Sequence, residues 1–272
     1  LDLIMHANKS EGQDSFSRKY NSHINNMGAT TASLLRLLQS VDNIGWNTHQ
    51  ESGRVDLRAL TRMANGSPDI FKTRTYKPAI KTAVHLMVDC SGSMHGRDIQ
   101  MAQSVSIQLA KIFARTNCAW AITGFNGEDG LEYLDSNPLS QSTCMRKEKV
   151  RLIPFKEWGE SLRQSAPKLG FMHMMADDST PDYSAVYLGL QSLLARKEQK
   201  RILFVLTDSA GFNVEHMRYV ESIAKKHDIK LVGIGINAQD IHHSFSNSVN
   251  VTRIGQLGST AFSKLLETVN KG

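Results

Sequence analysis

Cysteine, proline and aromatic residues are all scarce in this chain, and each shortage excludes something. The three cysteines among 272 residues (Cys90, Cys118 and Cys144) are odd in number and widely spaced. That pattern fits neither a disulfide framework nor a zinc site, so a reducing, cytoplasmic interior is expected. Six prolines and 19 glycines are too few for a collagenous or low-complexity chain. No apolar run approaches the ~20 residues of a membrane-spanning helix. Residues 1–10 (LDLIMHANKS) hold no basic stretch followed by an apolar core, so neither a membrane contact nor a signal peptide is expected. No GxxxxGK[ST] run is present to cradle a nucleotide phosphate. Aromatic residues reach only 7% with no RNA-recognition, KH or zinc-finger signature, which weighs against a base-stacking module.

What is present is an ordinary globular composition, 40% hydrophobic and 21% charged, at a length that suits one large α/β domain or two small ones. The net charge of +6 is unevenly placed. Residues 1–81 hold 11 basic against 7 acidic residues, and residues 145–168 hold 7 against 3, around a slightly acidic remainder. A basic patch contacts nucleic acid or an acidic protein surface when it is not simply solvated. Arg146, Lys147, Lys149 and Arg151 are therefore candidate partner-binding residues, with His95 a further one.

From residue 82 onward, strand-like and helix-like segments alternate. Thr82–Asp89, Cys118–Phe125, Arg201–Asp208 and Ile229–Ile236 read as buried strands, and Asn250–Ile254 as a shorter one. Residues 97–115, 183–196, 214–227 and 259–270 read as helices. The alternation predicts an α/β, Rossmann-like fold: a mostly parallel central sheet with helices on both faces. Ahead of it, residues 24–41 read as a helix and Asn47–Tyr76 as turns around a short helix over Leu57–Ala64. The expected organisation is an N-terminal helical extension over residues 1–80, a helix plus small strand and helix elements packed on a body over 81–272, with a weakly periodic basic insertion at about 127–178.

Ligands of open parallel sheets bind beyond the carboxyl ends of the strands. Three polar clusters fall there: Asp89-Cys90-Ser91-Gly92-Ser93 after the first strand of the body, Thr180 before the helix at 183–196, and Asp208 ending the strand RILFVLTD. Two carboxylates and three hydroxyls on one rim suit a hard divalent cation, which takes oxygen ligands and keeps waters in its shell. Each also has a plainer role. Asp89, Ser91 and Ser93 suit a strand-end turn and helix cap, Thr180 an N-cap, and Asp182 a first-turn acid. Cys90 has no assignable activating His–carboxylate pair and reads as structural.

These residues resemble the metal-ion-dependent adhesion site (MIDAS) of von Willebrand factor A domains, in Asp89-x-Ser91-x-Ser93, the distant Thr180 and the later Asp208. The segment Thr180-Pro181-Asp182-Tyr183-Ser184-Ala185 resembles the Thr loop of that family. More narrowly, Asp89–Arg97 (DCSGSMHGR), Ala121–Asn126, Ser192–Asp208 and Gly53–Arg62 (GRVDLRALTR) are similar to the C-terminal region of the cobaltochelatase subunit CobT. The resemblance implies Mg²⁺, with Mn²⁺ and Ca²⁺ as alternatives, held by Asp89, Ser91, Ser93, Thr180 and Asp208. Asp182 is the alternative to Thr180, because an acid is typical there in CobT-like chains. It further implies a non-catalytic subunit that works with a MoxR-type AAA+ ATPase such as CobS, and with a large chelatase subunit that inserts cobalt. Two other readings are nucleic-acid binding through the basic extension and Mg²⁺-dependent phosphoryl hydrolysis. The second normally wants an acid where Ser91 stands. Ser209 replaces the family's usual Gly, which implies a stiffer loop after Asp208, and residues 127–178 match the family poorly.

Overall fold

The computed structural model describes residues 9–21, 31–32, 34, 38, 44–59, 70–76, 81–116, 118–128, 149–209, 212–253 and 255–256. They fall into two compact units, one of residues 1–38 with 81–272 and one of residues 39–80. The expected extension is thus divided between them, and its first helix, α1 (Lys9–Asn21), clusters with the larger unit. Of the helix read over 24–41, residues 31, 32, 34 and 38 are helical, and the rest lie outside the described residues.

The smaller unit contains an antiparallel sheet of β1 (Ile44–Gln50), β2 (Arg54–Val55) and β3 (Phe71–Tyr76), with β3 central. The sequence reading expected small strand elements in the extension without assigning their positions. IGWNTHQ and FKTRTY carry β-formers such as Thr, Tyr and Phe, yet too few apolar residues to show a period of two. The helix expected from Leu57 is a single 3-10 turn, Leu57–Ala59, and residues 60–69 lie outside the described set.

In the larger unit six strands run in the order β6-β5-β4-β7-β8-β9. They are β4 (Thr82–Asp89), β5 (Ala119–Glu128), β6 (Lys149–Lys156), β7 (Lys200–Thr207), β8 (Ile229–Ile236) and β9 (Ser248–Val251). All neighbours are parallel except β6, which pairs antiparallel with β5 at the edge. This is the mostly parallel α/β architecture the alternation predicted. Val84, Leu86 and Val88 of β4, with Ile202, Phe204 and Leu206 of β7, enter one core cluster. Ala83 and Met87, with Leu203 and Val205, enter the other. The period of two thus feeds both faces, and fully burying such side chains stabilises by ~1.5–3 kcal/mol each. The first cluster is covered by α1, α2 (Arg97–Phe113) and α3 (Leu162–Gly170). The second is covered by α4 (Asp182–Leu194), α5 (Val214–Lys226) and the short α6 (Ile241–Ser244).

The segment read as an insertion is largely part of this body. Residues 149–174 supply the edge strand β6, the capped helix α3 and a 3-10 turn at Met172–Met174. The strand KVRLIPFK hides its period behind cations, and Pro154 is tolerated because the strand lies at an edge. Residues 129–148 and the helix read over 259–270 lie outside the described residues.

Candidate metal centre

The rim where β4 and β7 end side by side is built around one carboxylate. Asp89 is fully buried, and both of its oxygens accept hydrogen bonds. Ser91 N donates to Oδ1 at 2.9 Å and Thr207 Oγ1 donates to Oδ2 at 2.7 Å. Burial raises its pKa to about 6, while the hydrogen bonds from Ser91 and Thr207 pull the other way. A cation beside it favours the charged form further.

After Asp89 the chain turns through the 3-10 segment Gly92–Met94. Ser91 stands at its N-cap position, yet its side chain makes no capping bond. Its hydroxyl instead lies 3.1 Å from that of Ser93. The plain capping role therefore does not use this hydroxyl. At α4 the N-cap position is Pro181, and half-buried Thr180 stands one residue before it. Asp182 is the first residue of α4, and its side chain lies outside the described set.

Backbone hydrogen bonds join the first two clusters. Asp177 N donates to Cys90 O at 3.0 Å, Gly92 N to Asp178 O at 2.8 Å, and Gly127 N to Ser179 O at 2.7 Å. Asn126 Nδ2 adds a bond to Asp177 O at 3.1 Å. The loop that carries Thr180 is thereby fixed to the turn that carries Ser91 and Ser93. On the other side, Ser209 N donates to Thr207 Oγ1 at 2.9 Å, which ties half-buried Asp208 to the hydroxyl that holds Asp89. Ser209 has φ 56°, a left-handed conformation that favours glycine.

An oxygen-rich centre of this kind fits a hard divalent cation. Two cis ligands at ~2.1 Å in an octahedron stand about 3.0 Å apart, close to the 3.1 Å between the Ser91 and Ser93 hydroxyls. Among the described residues no cluster of three or more His, Cys, Asp or Glu occurs, so the hydroxyls give this donor set its character. Asn126 Oδ1, at the end of β5, is buried without a hydrogen-bond partner among the described residues. It is a spare acceptor beside the site.

Sequence reasoning missed Asn126 and Thr207 as site residues. Thr207 had a signal, since it directly precedes Asp208 on a strand whose end lies beside β4. Cys90 is buried, and burial together with the Asp89 charge pushes its thiol pKa far up, which fits a structural role. His95 is exposed at the end of the 3-10 turn. Arg146 and Lys147 lie outside the described residues, and Lys149 opens β6. Arg151 is exposed and forms an ion pair with Asp178 at 3.7 Å. Elsewhere in this basic segment, buried Lys156 donates to Trp120 O at 2.7 Å, and Lys168 pairs with Glu160 at 2.5 Å. Those two cations serve the fold.

The chain is similar to several solved structures. The chain is similar to the conserved hypothetical protein BatB from Bacteroides thetaiotaomicron, with 13% identity and a TM-score of 0.49 over 70% of this chain and 100% of that one. It is similar to manganese-loaded TRAP protein from Plasmodium vivax, with 15% identity and a TM-score of 0.42 over 63% and 68% of the two chains. A third is proximal thread matrix protein 1 from the mussel byssus, with zinc occupying its MIDAS motif. There the identity is 14% and the TM-score 0.44, over 70% of this chain and 45% of that one. Residues 70–271 match the family model described as the cobalamin biosynthesis protein CobT VWA domain, and the chain belongs to that family.

Proposed function

We propose that this chain is a metal-dependent protein-interaction module, a CobT-like subunit that binds Mg²⁺ and works without catalytic groups of its own beside a MoxR-type AAA+ ATPase. The observation that carries the reading is the buried Asp89 carboxylate, held by two donors next to a pair of hydroxyls 3.1 Å apart. The cation, when bound, supplies an electropositive position that a carboxylate of the partner completes.

The chain's own residues prepare that position. The hydroxyls of Ser91, Ser93 and Thr180 would be the neutral ligands, and Asp89 and Asp208 would act mainly through water. Because most ligands are neutral, little of the cation's charge is cancelled and an outside acid is attracted. Thr207 and Ser91 N orient Asp89, and the bonds from Gly92 and Gly127 to the 178–179 backbone set the height of Thr180. ATP turnover in the partner ring then moves this domain against a third protein, which in the cobaltochelatase reading is the large metal-inserting subunit.

The test is an affinity capture from native lysate in Mg²⁺ and in EDTA, with Asp208→Ala beside wild type and mass spectrometry as readout. An AAA+ ATPase retained only with metal and intact Asp208 is the expected result. Partners held equally well in EDTA would overturn the metal-dependent reading.

A further inference from the structure

Two adjoining clefts lie on the α1 side of the larger unit. One, of about 330 Å³, is lined by Lys19, Arg97, Gln100, Met101, Ser104, Thr252 and Arg253. The other, of about 350 Å³, is lined by Ser15, Arg18, Lys19, Gln100, Gln103 and His173. They share Lys19 and Gln100, and no carboxylate is among the described residues lining either. Residues 97, 100, 101 and 104 recur at the spacing of one helical face of α2. Lys19 is fixed above that face, its Nζ donating to Gln100 O at 3.0 Å and to Ser104 Oγ at 2.8 Å.

We propose that the paired clefts form one groove that binds an extended, Asp/Glu-rich peptide segment of a partner protein, independently of the metal centre. The cations are spread along the groove, Arg97 and Arg253 at one end, Lys19 between, Arg18 at the other. A row of that kind matches successive carboxylates better than a single compact anion. Arg97 is the first residue of α2, where the helix dipole disfavours a cation, and so it stands at a cost to local stability that an incoming anion offsets. Burial and the neighbouring Arg18 both lower the pKa of Lys19.

One feature favours a peptide over a nucleic-acid strand. No aromatic side chain is among the described lining residues to stack a base. Thr252 and Arg253 follow β9, so the groove opens on the same strand-end rim as Asp89, about three strand spacings or ~14 Å along it.

The test measures fluorescence anisotropy of a labelled octaglutamate peptide with the full chain at low salt in EDTA, which silences the metal centre. Wild type is expected to bind, and Arg97→Gln/Arg253→Gln to weaken binding about tenfold, or ~1.4 kcal/mol. Lys225→Gln/Lys226→Gln, exposed near the end of α5 on the other face, is expected to bind as wild type. Thermal melts check that each variant is folded. No binding by wild type, equal loss in both double variants, or an octathymidylate that displaces the peptide at lower concentration than unlabelled octaglutamate would each overturn the assignment. Because EDTA is present throughout, failure here leaves the metal-centre reading to its own experiment.

Discussion

Asp89 is a carboxylate taken wholly out of water, and an ionised group there is tolerated only when its oxygens find donors. One donor is a backbone N–H that any residue at 91 supplies. The other is the hydroxyl of Thr207, itself fully buried, and this one depends on the side chain. Thr207→Val keeps the shape and removes the donor. It is expected to weaken Mn²⁺ binding, used as a probe, about tenfold by titration calorimetry or electron paramagnetic resonance, as loss of an outer-shell partner generally does. Thr207→Ser restores the donor and should return affinity to within about threefold. If Val lowers thermal stability while leaving Mn²⁺ affinity unchanged, Thr207 is only a structural residue. At this scale the sequence was legible in where the candidate residues stand. Asp89 ends β4, Ser91 and Ser93 follow it, and Asp208 follows the end of β7, as the strand pattern predicted. Asn126 was hidden because a lone Asn at a strand end has no distinguishing neighbour. The left-handed Ser209 was visible only as a missing glycine.

Among the elements, the buried strands were the easiest to read. RILFVLTD and IKLVGIGI are continuous apolar runs, and a strand covered on both faces has no other way to look. Helix α1 was missed for the opposite reason. KSEGQDSFSRKYN buries only Gly12, Ser15 and Phe16, so almost no apolar stripe betrays it. Its attachment depends on close backbone approach: a Cβ at Gly170 of α3 would fall on the carbonyl oxygen of Gly12, and one at Gly12 would meet Pro167 O and the Phe171 ring at 2.6 Å. Backbone atoms yield less than side chains, and overpacking typically costs ~1–3 kcal/mol. Gly170→Ala is therefore expected to loosen α1 while the sheet stays folded. The check is limited trypsin digestion after Arg18 and Lys19, which should accelerate by ~5-fold or more, since 1 kcal/mol of lost docking is about that factor. An unchanged cleavage rate would mean that α1 is held elsewhere.

Across the whole molecule, the alternation of strand and helix settled the layer order, because a parallel sheet needs crossovers that cover both faces. The division at residues 39–80 was less legible, since three short strands separate from a domain by contacts that composition does not record. One share of the pH dependence of the larger unit's stability can be traced to a single histidine. His85 lies mid-strand in β4, 4% exposed, with Nε2 2.9 Å from Thr123 Oγ1 and its ring 5.5 Å from that of Trp158. Burial lowers its pKa from 6.5 to about 4. The folded state therefore holds the neutral ring where the unfolded chain takes up a proton, so stability is full above pH 6.5 and is lost as pH falls toward 4. One such group costs about 2 kcal/mol between pH 7.5 and 5. The raised pKa of Asp89 acts with the opposite sign over the same range, so the His85 share is read as a difference between two proteins, by urea unfolding followed by circular dichroism. Wild type is expected to lose about that much more than His85→Gln, which keeps a hydrogen-bonding group near Thr123 and cannot titrate there. An equal loss in both proteins would place the proton uptake on other residues.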